Sequence, residues 1–181
     1  MIELYIGDGK GKTTASVGLA VRAAGGGVPV LFVQFLKSGT SGELKILRSL
    51  PGTEVLLPEV FYGFVSRMSD EQKQSLKLGY TELLGEIERK VRAFSGLPDR
   101  KDGAVRAVVI LDEAIHAVRH GFLPEERVLE LFSSIPSDIE VVMTGRGPSE
   151  KLLEKADYVS EIRPLKHPFA DGVRARRGIE F

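Results

Sequence analysis

The sequence predicts an α/β fold of three layers, with a mostly parallel sheet held between two layers of helix. Three observations carry that expectation. First, near-continuous apolar runs at 28–35 (VPVLFVQF) and 105–111 (VRAVVIL) have the pattern of strands buried on both faces, and they alternate with stretches of helical periodicity. Second, a short apolar run from Ile2 to Ile6 passes through a glycine-rich turn into helical sequence, the strand–turn–helix unit that parallel sheets repeat. Third, polar residues gather where each strong strand ends, at Gln34 to Gly39, Asp112-Glu113 and Thr144 to Gly147. That edge is where open α/β sheets bind their ligands.

The first turn, Gly7-Asp8-Gly9-Lys10-Gly11-Lys12-Thr13-Thr14, has the composition and context of a phosphate-binding loop. Its glycines let backbone N–H groups converge on phosphate oxygens, and the N-terminus of the following helix adds partial positive charge. Lys12 would reach the terminal phosphates, and the Thr13 hydroxyl would face a bound Mg²⁺. The spacing is short: only three residues separate Gly7 from Gly11, and the position of the usual first glycine is taken by Ile6. The helix from Ala15 onwards stops at Gly25-Gly26-Gly27.

After the strand at 28–35 come a short helix from Gly42 to Leu50 and a strand from Glu54 to Leu57. Residues 58–68 are irregular and rich in aromatics (Phe61, Tyr62, Phe64), either a loop folded over the core or an apolar surface for a flat ligand. Ser69-Asp70-Glu71-Gln72 is a capping box opening a long helix. On that helix Leu76, Tyr80, Leu83, Leu84, Ile87 and Val91 form one core-facing stripe. A polar loop at 95–103 leads to the strand at 105–111, which ends in Asp112-Glu113. Downstream of a Gly-Lys-Thr loop, an acid at the end of an apolar strand is the second half of a phosphate-loop site, holding Mg²⁺ directly or through water.

His116 and His120 share a helical face but lack an evident third ligand, so they read as partly exposed helix residues. A helix follows from Pro124 to about Ser133, then a strand from Ile139 to Met143. Arg146, just beyond it, would either stabilise a phosphate or pair with a surface carboxylate. Ser149 caps a short helix to Ala156, and Tyr158 to Ile162 is a last strand. The tail is locally basic through Arg174, Arg176 and Arg177, either a solvated face or a cover for an anionic ligand.

Bulk properties narrow the function classes. A chain of 181 residues suits a single domain, 1–181, with a substantial core. Twenty-five basic residues balance twenty-five acidic ones, so no global field draws the chain to nucleic acid or a membrane. The absence of cysteine excludes disulfides, thiolate metal sites and cysteine nucleophiles. No signal peptide precedes the first strand and no apolar run reaches membrane-span length, so a cytoplasmic location is expected.

Several segments together, GDGKGKTTA at 7–15, VQFLKSGTSGE at 33–43, VVILDE at 108–113 and the whole stretch from Thr144 to Phe181, resemble the ATP:corrinoid adenosyltransferases of the BtuR type. The resemblance covers the whole chain, and its end segment is the most specific part. It implies a phosphate-loop nucleotide-hydrolase-like fold with ATP and Mg²⁺ as co-substrate and cofactor and a corrinoid as acceptor. The reduced Co(I) corrinoid attacks the 5′ carbon of ATP and triphosphate leaves, in cobalamin biosynthesis or corrinoid salvage. The resemblance further implies that the nucleotide lies reversed relative to other phosphate-loop enzymes, so that Gly9 to Thr14 cradle the triphosphate from its γ end.

On this reading Lys12, Thr13, Asp112 and Glu113 are the candidate catalytic residues. Gly7, Asp8, Gly9, Lys10, Gly11, Lys12, Thr13, Thr14, Lys37 and Arg146 are candidates to bind ATP, and Thr13 and Asp112 to bind Mg²⁺. Phe64 matches the aromatic of the family's corrinoid-packing segment, with Ser66 where that segment has tryptophan. A cover for the corrinoid is then expected from a neighbouring subunit of a homodimer or from another loop, and electrons from a partner such as a flavin-dependent reductase. The competing readings are a phosphate-loop NTPase or kinase, with Glu113 polarising the attacking group, and a non-catalytic carrier.

Overall fold

The structure is a computed structural model describing residues 1–100, 103–166, 172 and 175–179. Six strands, β1 (Ile2–Ile6), β2 (Val30–Gln34), β3 (Thr53–Leu56), β4 (Ala107–Asp112), β5 (Ile139–Thr144) and β6 (Tyr158–Glu161), pair in the order β3-β2-β4-β5-β1-β6. Every ladder is parallel, so the sheet is wholly rather than mostly so. The central strands β2, β4 and β5 are buried at every position, as their largely apolar sequences favour, with Gln34, Asp112, Glu140 and Thr144 the buried polar exceptions.

Two apolar layers flank the sheet. On one face α1 (Lys12–Gly25) and α2 (Gly42–Leu47) pack through Ala20, Ala23, Leu44 and Leu47 against Val30, Phe32, Val108, Ile110 and Val142. On the other, α3 (Asp70–Ser95), α4 (Ala114–Arg119), α5 (Glu125–Ser134) and α6 (Glu150–Lys155) cover Leu31, Val33, Val109, Leu111, Val141 and Met143. Alternate residues of each strand feed opposite layers, which makes the fold a three-layer sandwich.

The long helix α3 begins as its sequence dictates. Ser69 accepts from the Gln72 backbone N–H while the Gln72 side chain accepts from the Ser69 N–H, closing the capping box. Its apolar stripe, Leu76 to Val91, is buried at all six positions.

Boundaries moved where backbone chemistry intervenes. Strand β2 starts at Val30 because Pro29 has no N–H for a ladder. It ends before Leu36, whose φ of 53° turns the chain. Helix α1 begins at Lys12, three residues earlier than the apolar periodicity indicates, so Lys12 and Thr13 stand in its first turn. Residues 58–68 contain a single 3₁₀ turn, Val65–Arg67. Strand β6 lies at the sheet edge with all four residues exposed. Arg174 and residues 167–169 of the basic tail lie outside the described residues. Among the described residues no helix is long and apolar enough to cross a membrane.

Candidate active site

The glycine-rich turn between β1 and α1 packs directly on the end of β6. Gly9 donates its N–H to the Ile162 carbonyl at 2.8 Å. A Cβ at Gly7 would come within 2.5 Å of that carbonyl oxygen, and one at Gly9 within 2.7 Å. Gly7 also has φ of 101°. Only glycine satisfies both demands at Gly7, whereas at Gly9 the close approach alone decides. The short spacing of the motif is therefore accommodated by backbone contact with a neighbouring strand.

Lys12 folds back into this turn, its ammonium donating to the carbonyls of Gly7 at 2.6 Å and Gly9 at 2.8 Å. Burial, and then the nearby Arg146 guanidinium, lower its pKa from the ordinary lysine value. A poorly solvated cation of this kind gains much from an arriving anion.

Asp112 is the hub. The last residue of β4, it is fully buried, and its carboxylate accepts four hydrogen bonds. Oδ1 receives the hydroxyls of Thr13 at 2.9 Å and Thr144 at 2.8 Å. Oδ2 receives the Gln34 amide at 3.1 Å and the Lys37 ammonium at 2.8 Å. Strand register assembles the set: Gln34 of β2 lies opposite Asp112, and Thr144 is the last residue of β5 on the other side. A buried carboxylate is tolerated because each oxygen is paired and one donor is charged.

Lys37 also donates to the Thr13 Oγ1 at 3.0 Å, so its ammonium bridges the hydroxyl and the carboxylate. Thr13 and Asp112 thus form a pair of hard oxygen donors already holding a cation. Among the described residues no group of three or more histidines and carboxylates is placed to hold a metal unaided. Lys12, Thr13, Lys37 and Asp112 are expected at the site from the sequence, whereas Gln34 and Thr144 are additions that the structure makes. Their signal was a polar residue closing an otherwise apolar strand.

Glu113 and Leu36 are the two non-glycine residues with positive φ among those described, at 60° and 53°. Both follow a strand end at the rim of one cleft. The left-handed turn at Glu113 is held by a 3.0 Å bond from its N–H to the Thr144 Oγ1. Its carboxylate lies 3.6 Å from His116 Nδ1. Left-handed backbone at non-glycine residues clusters at functional sites, where surrounding contacts over-determine it.

The cleft has a volume of about 800 Å³ and runs from the phosphate loop, Asp8 to Thr14, past Lys37 and Glu113 to Phe61. Gly178 and Ile179 from the tail also line it. Gly7 lies behind it, against β6. Arg146 lies at its rim, where it pairs with the Asp8 carboxylate of the phosphate loop at 3.5 Å. The aromatic segment divides. Tyr62 packs on the core and bonds Ser75, Phe61 faces the cleft, and Phe64 stands outside the lining, three-quarters exposed, with the Arg67 guanidinium 5.8 Å from its ring. His116 and His120 lie with ring centres 4.8 Å apart and planes tilted by 40°, and among the described residues they belong to no group of three or more histidines and carboxylates placed to hold a metal.

A second hollow of about 860 Å³ lies along α3. Its lining holds five carboxylates, Glu59, Asp70, Glu71, Glu82 and Glu86, against one cation, Arg89, a balance unfavourable to phosphate. Among the described residues, the nucleotide-binding features converge on the cleft beside Lys12.

A parallel three-layer sheet, a phosphate loop between β1 and α1, and a buried acid at the end of β4 define a phosphate-loop nucleotide-binding protein. The family profile of the ATP:corrinoid adenosyltransferases BtuR/CobO/CobP matches residues 1–181. The chain is 36% identical to a corrinoid adenosyltransferase of Pseudomonas aeruginosa, covering 98% of this chain and 82% of that protein. It is 35% identical to the Escherichia coli K12 corrinoid adenosyltransferase over all of this chain and 85% of that one. With the Salmonella typhimurium enzyme, corrinoid adenosyltransferase CobA, identity is 33% at the same coverage. The chain belongs to the ATP:corrinoid adenosyltransferase family, and it is a transferase.

Proposed function

We propose that this protein transfers the 5′-deoxyadenosyl group of ATP to the Co(I) centre of a corrinoid, with release of triphosphate, in adenosylcobalamin synthesis or corrinoid salvage. The observation that carries the reading is the gathering of Lys12, Thr13 and Lys37 in the lining of one cleft, with the buried Asp112 bonded to both Thr13 and Lys37, in a chain of this family.

The reaction asks little acid–base chemistry of the protein. The cobalt of the substrate supplies the electron pair for the new Co–C5′ bond. The C5′–O bond breaks, and its pair departs with the triphosphate. No proton is removed, so Glu113 serves orientation rather than general base catalysis. The protein's tasks are to align C5′ with the cobalt and to stabilise charge on the leaving triphosphate. Loop N–H groups and Lys12 meet that charge. Lys12 would exchange its bonds to the Gly7 and Gly9 carbonyls for phosphate oxygens.

The Thr13 hydroxyl and Asp112 carboxylate fit Mg²⁺ as hard oxygen donors that already bridge a cationic ammonium. Mg²⁺ bound there would supply further positive charge to the leaving group. Phe61 at the cleft and the exposed Phe64 beyond it offer apolar surface to the corrinoid.

We also propose a single domain across 1–181, a homodimer, a cytoplasmic setting and an external electron donor such as a flavin-dependent reductase. The exposed Tyr158 and Val159 on the edge strand β6 favour association with a second copy.

The deciding experiment is anaerobic incubation of the protein with Mg-ATP and chemically reduced cob(I)alamin, followed by absorbance and phosphorus NMR. Loss of the Co(I) spectrum with a light-sensitive alkylcobalamin and stoichiometric triphosphate is the expected result. ADP and phosphate with unchanged cobalamin would make the protein an NTPase instead.

A further inference from the structure

The position of Lys37 is more constrained than a phosphate-binding lysine needs. It follows Leu36, which is held in the left-handed region at φ 53°. The Leu36 N–H donates at 2.8 Å to the hydroxyl of Tyr80, a fully buried residue of α3. That bond ties the turn to the core, and Lys37 follows the turn directly. Its ammonium then sits 3.0 Å from the Thr13 Oγ1 and 2.8 Å from the Asp112 Oδ2. These are the two side chains assigned above to a divalent cation.

We propose that Lys37 is a resident cation that excludes free divalent metal from the Thr13–Asp112 pair, so that the site accepts a divalent cation only together with nucleotide phosphate. The proposal rests on the reading of this cleft as a metal–nucleotide site and adds to it a rule for the order of loading. Charge explains the rule. The buried carboxylate is already neutralised by one ammonium, and a second cation within a few ångströms of that ammonium is repelled. The protein also offers too few ligands, since among the described residues no group of three or more histidines and carboxylates is placed to hold a metal. Phosphate oxygens correct both deficits. They complete the metal's oxygen shell, and their negative charge gives the Lys37 ammonium a new partner. Lys37 can make that move because its side chain is about one-quarter exposed and already lines the cleft.

The test uses Mn²⁺ as probe, with the free ion counted by electron paramagnetic resonance during titration of the full chain without nucleotide. Wild-type protein is expected to bind Mn²⁺ weakly. Lys37→Met, which keeps the stem and removes the charge, is expected to bind it at least ~10-fold more tightly, about 1.4 kcal/mol. Lys37→Arg, which keeps the charge, should stay as weak as wild type. Asp112→Asn in the Lys37→Met background should abolish the gain, locating it. Thermal unfolding of each variant checks that it is folded. Equal Mn²⁺ affinity in wild type and a folded Lys37→Met would overturn the proposal, as would tightened binding in Lys37→Arg. Repeating the wild-type titration with a non-hydrolysable ATP analogue tests the underlying site separately. Failure of the analogue to recruit Mn²⁺ would count against the nucleotide-site reading, whatever Lys37→Met does alone.

Discussion

Glu140 shows how a single buried carboxyl can set a pH limit remote from the chemistry. It lies on β5 with 8% of its surface exposed, and its Oε1 has no hydrogen-bond partner. Burial, then hydrogen bonding to the Glu3 carboxyl, push its pKa up to about 7 from an ordinary 4.5, against the pull of the Met1 ammonium. A carboxyl whose pKa is raised on folding favours the folded state while protonated. Its contribution is complete below about pH 4.5 and is lost as pH rises through about 7. Glu140→Gln should therefore match wild-type thermal stability near pH 4.5 and exceed it at pH 8, by on the order of a few degrees in Tm. Parallel Tm profiles across that range would show that Glu140 does not bear this load.

At the scale of elements, the turn after β2 depends on a helix distant in sequence. Tyr80 is buried on α3 with Phe35 stacked edge-on at 5.1 Å, and burial pushes its phenol pKa up to about 12, so it remains a neutral hydroxyl. Tyr80→Phe preserves the packing and removes the acceptor for the Leu36 N–H. The expected cost is about 1–3 kcal/mol, the penalty for an unsatisfied buried donor. Weaker nucleotide binding should accompany it, since the left-handed turn that precedes Lys37 is released. Denaturant unfolding and ATP titration measure the two effects. Unchanged nucleotide affinity in a destabilised variant would separate the turn from the site. The helices themselves were readable locally, because the Ser69 capping box and the stripe from Leu76 to Val91 are short-range patterns.

Across the whole molecule, the phosphate loop is held in shape by the last strand of the sheet. Gly9 bonds the Ile162 carbonyl, and Ile162 in turn donates to Ile6, so β1, the loop and the end of β6 form one unit. Gly9→Ala would drive a Cβ to 2.7 Å from the carbonyl oxygen and 2.8 Å from the Ile162 Cγ2. Loop and strand must separate. We expect ATP affinity to fall at least ~10-fold, with destabilisation of about 1–3 kcal/mol from overpacking. Calorimetric titration and denaturant unfolding report the two, and wild-type affinity in Gly9→Ala would show that the contact does not shape the loop.

The same division separates what the chain's text determines from what its folding decides. Sequence alone determined the strand–loop–helix opening, the apolar central strands, the pairing of a Gly-Lys-Thr loop with an Asp-Glu strand end, and the family. Those features are local in the chain, and their periodicities and spacings carry the physics directly. Only tertiary structure decided that Gln34 and Thr144 complete the shell of Asp112, that Ile162 moulds the short loop, and that Lys37 lies between Thr13 and Asp112. Each of these depends on strand register or on the aim of one side chain across residues far apart in sequence. No local pattern encodes them, because they arise where separate strands end side by side.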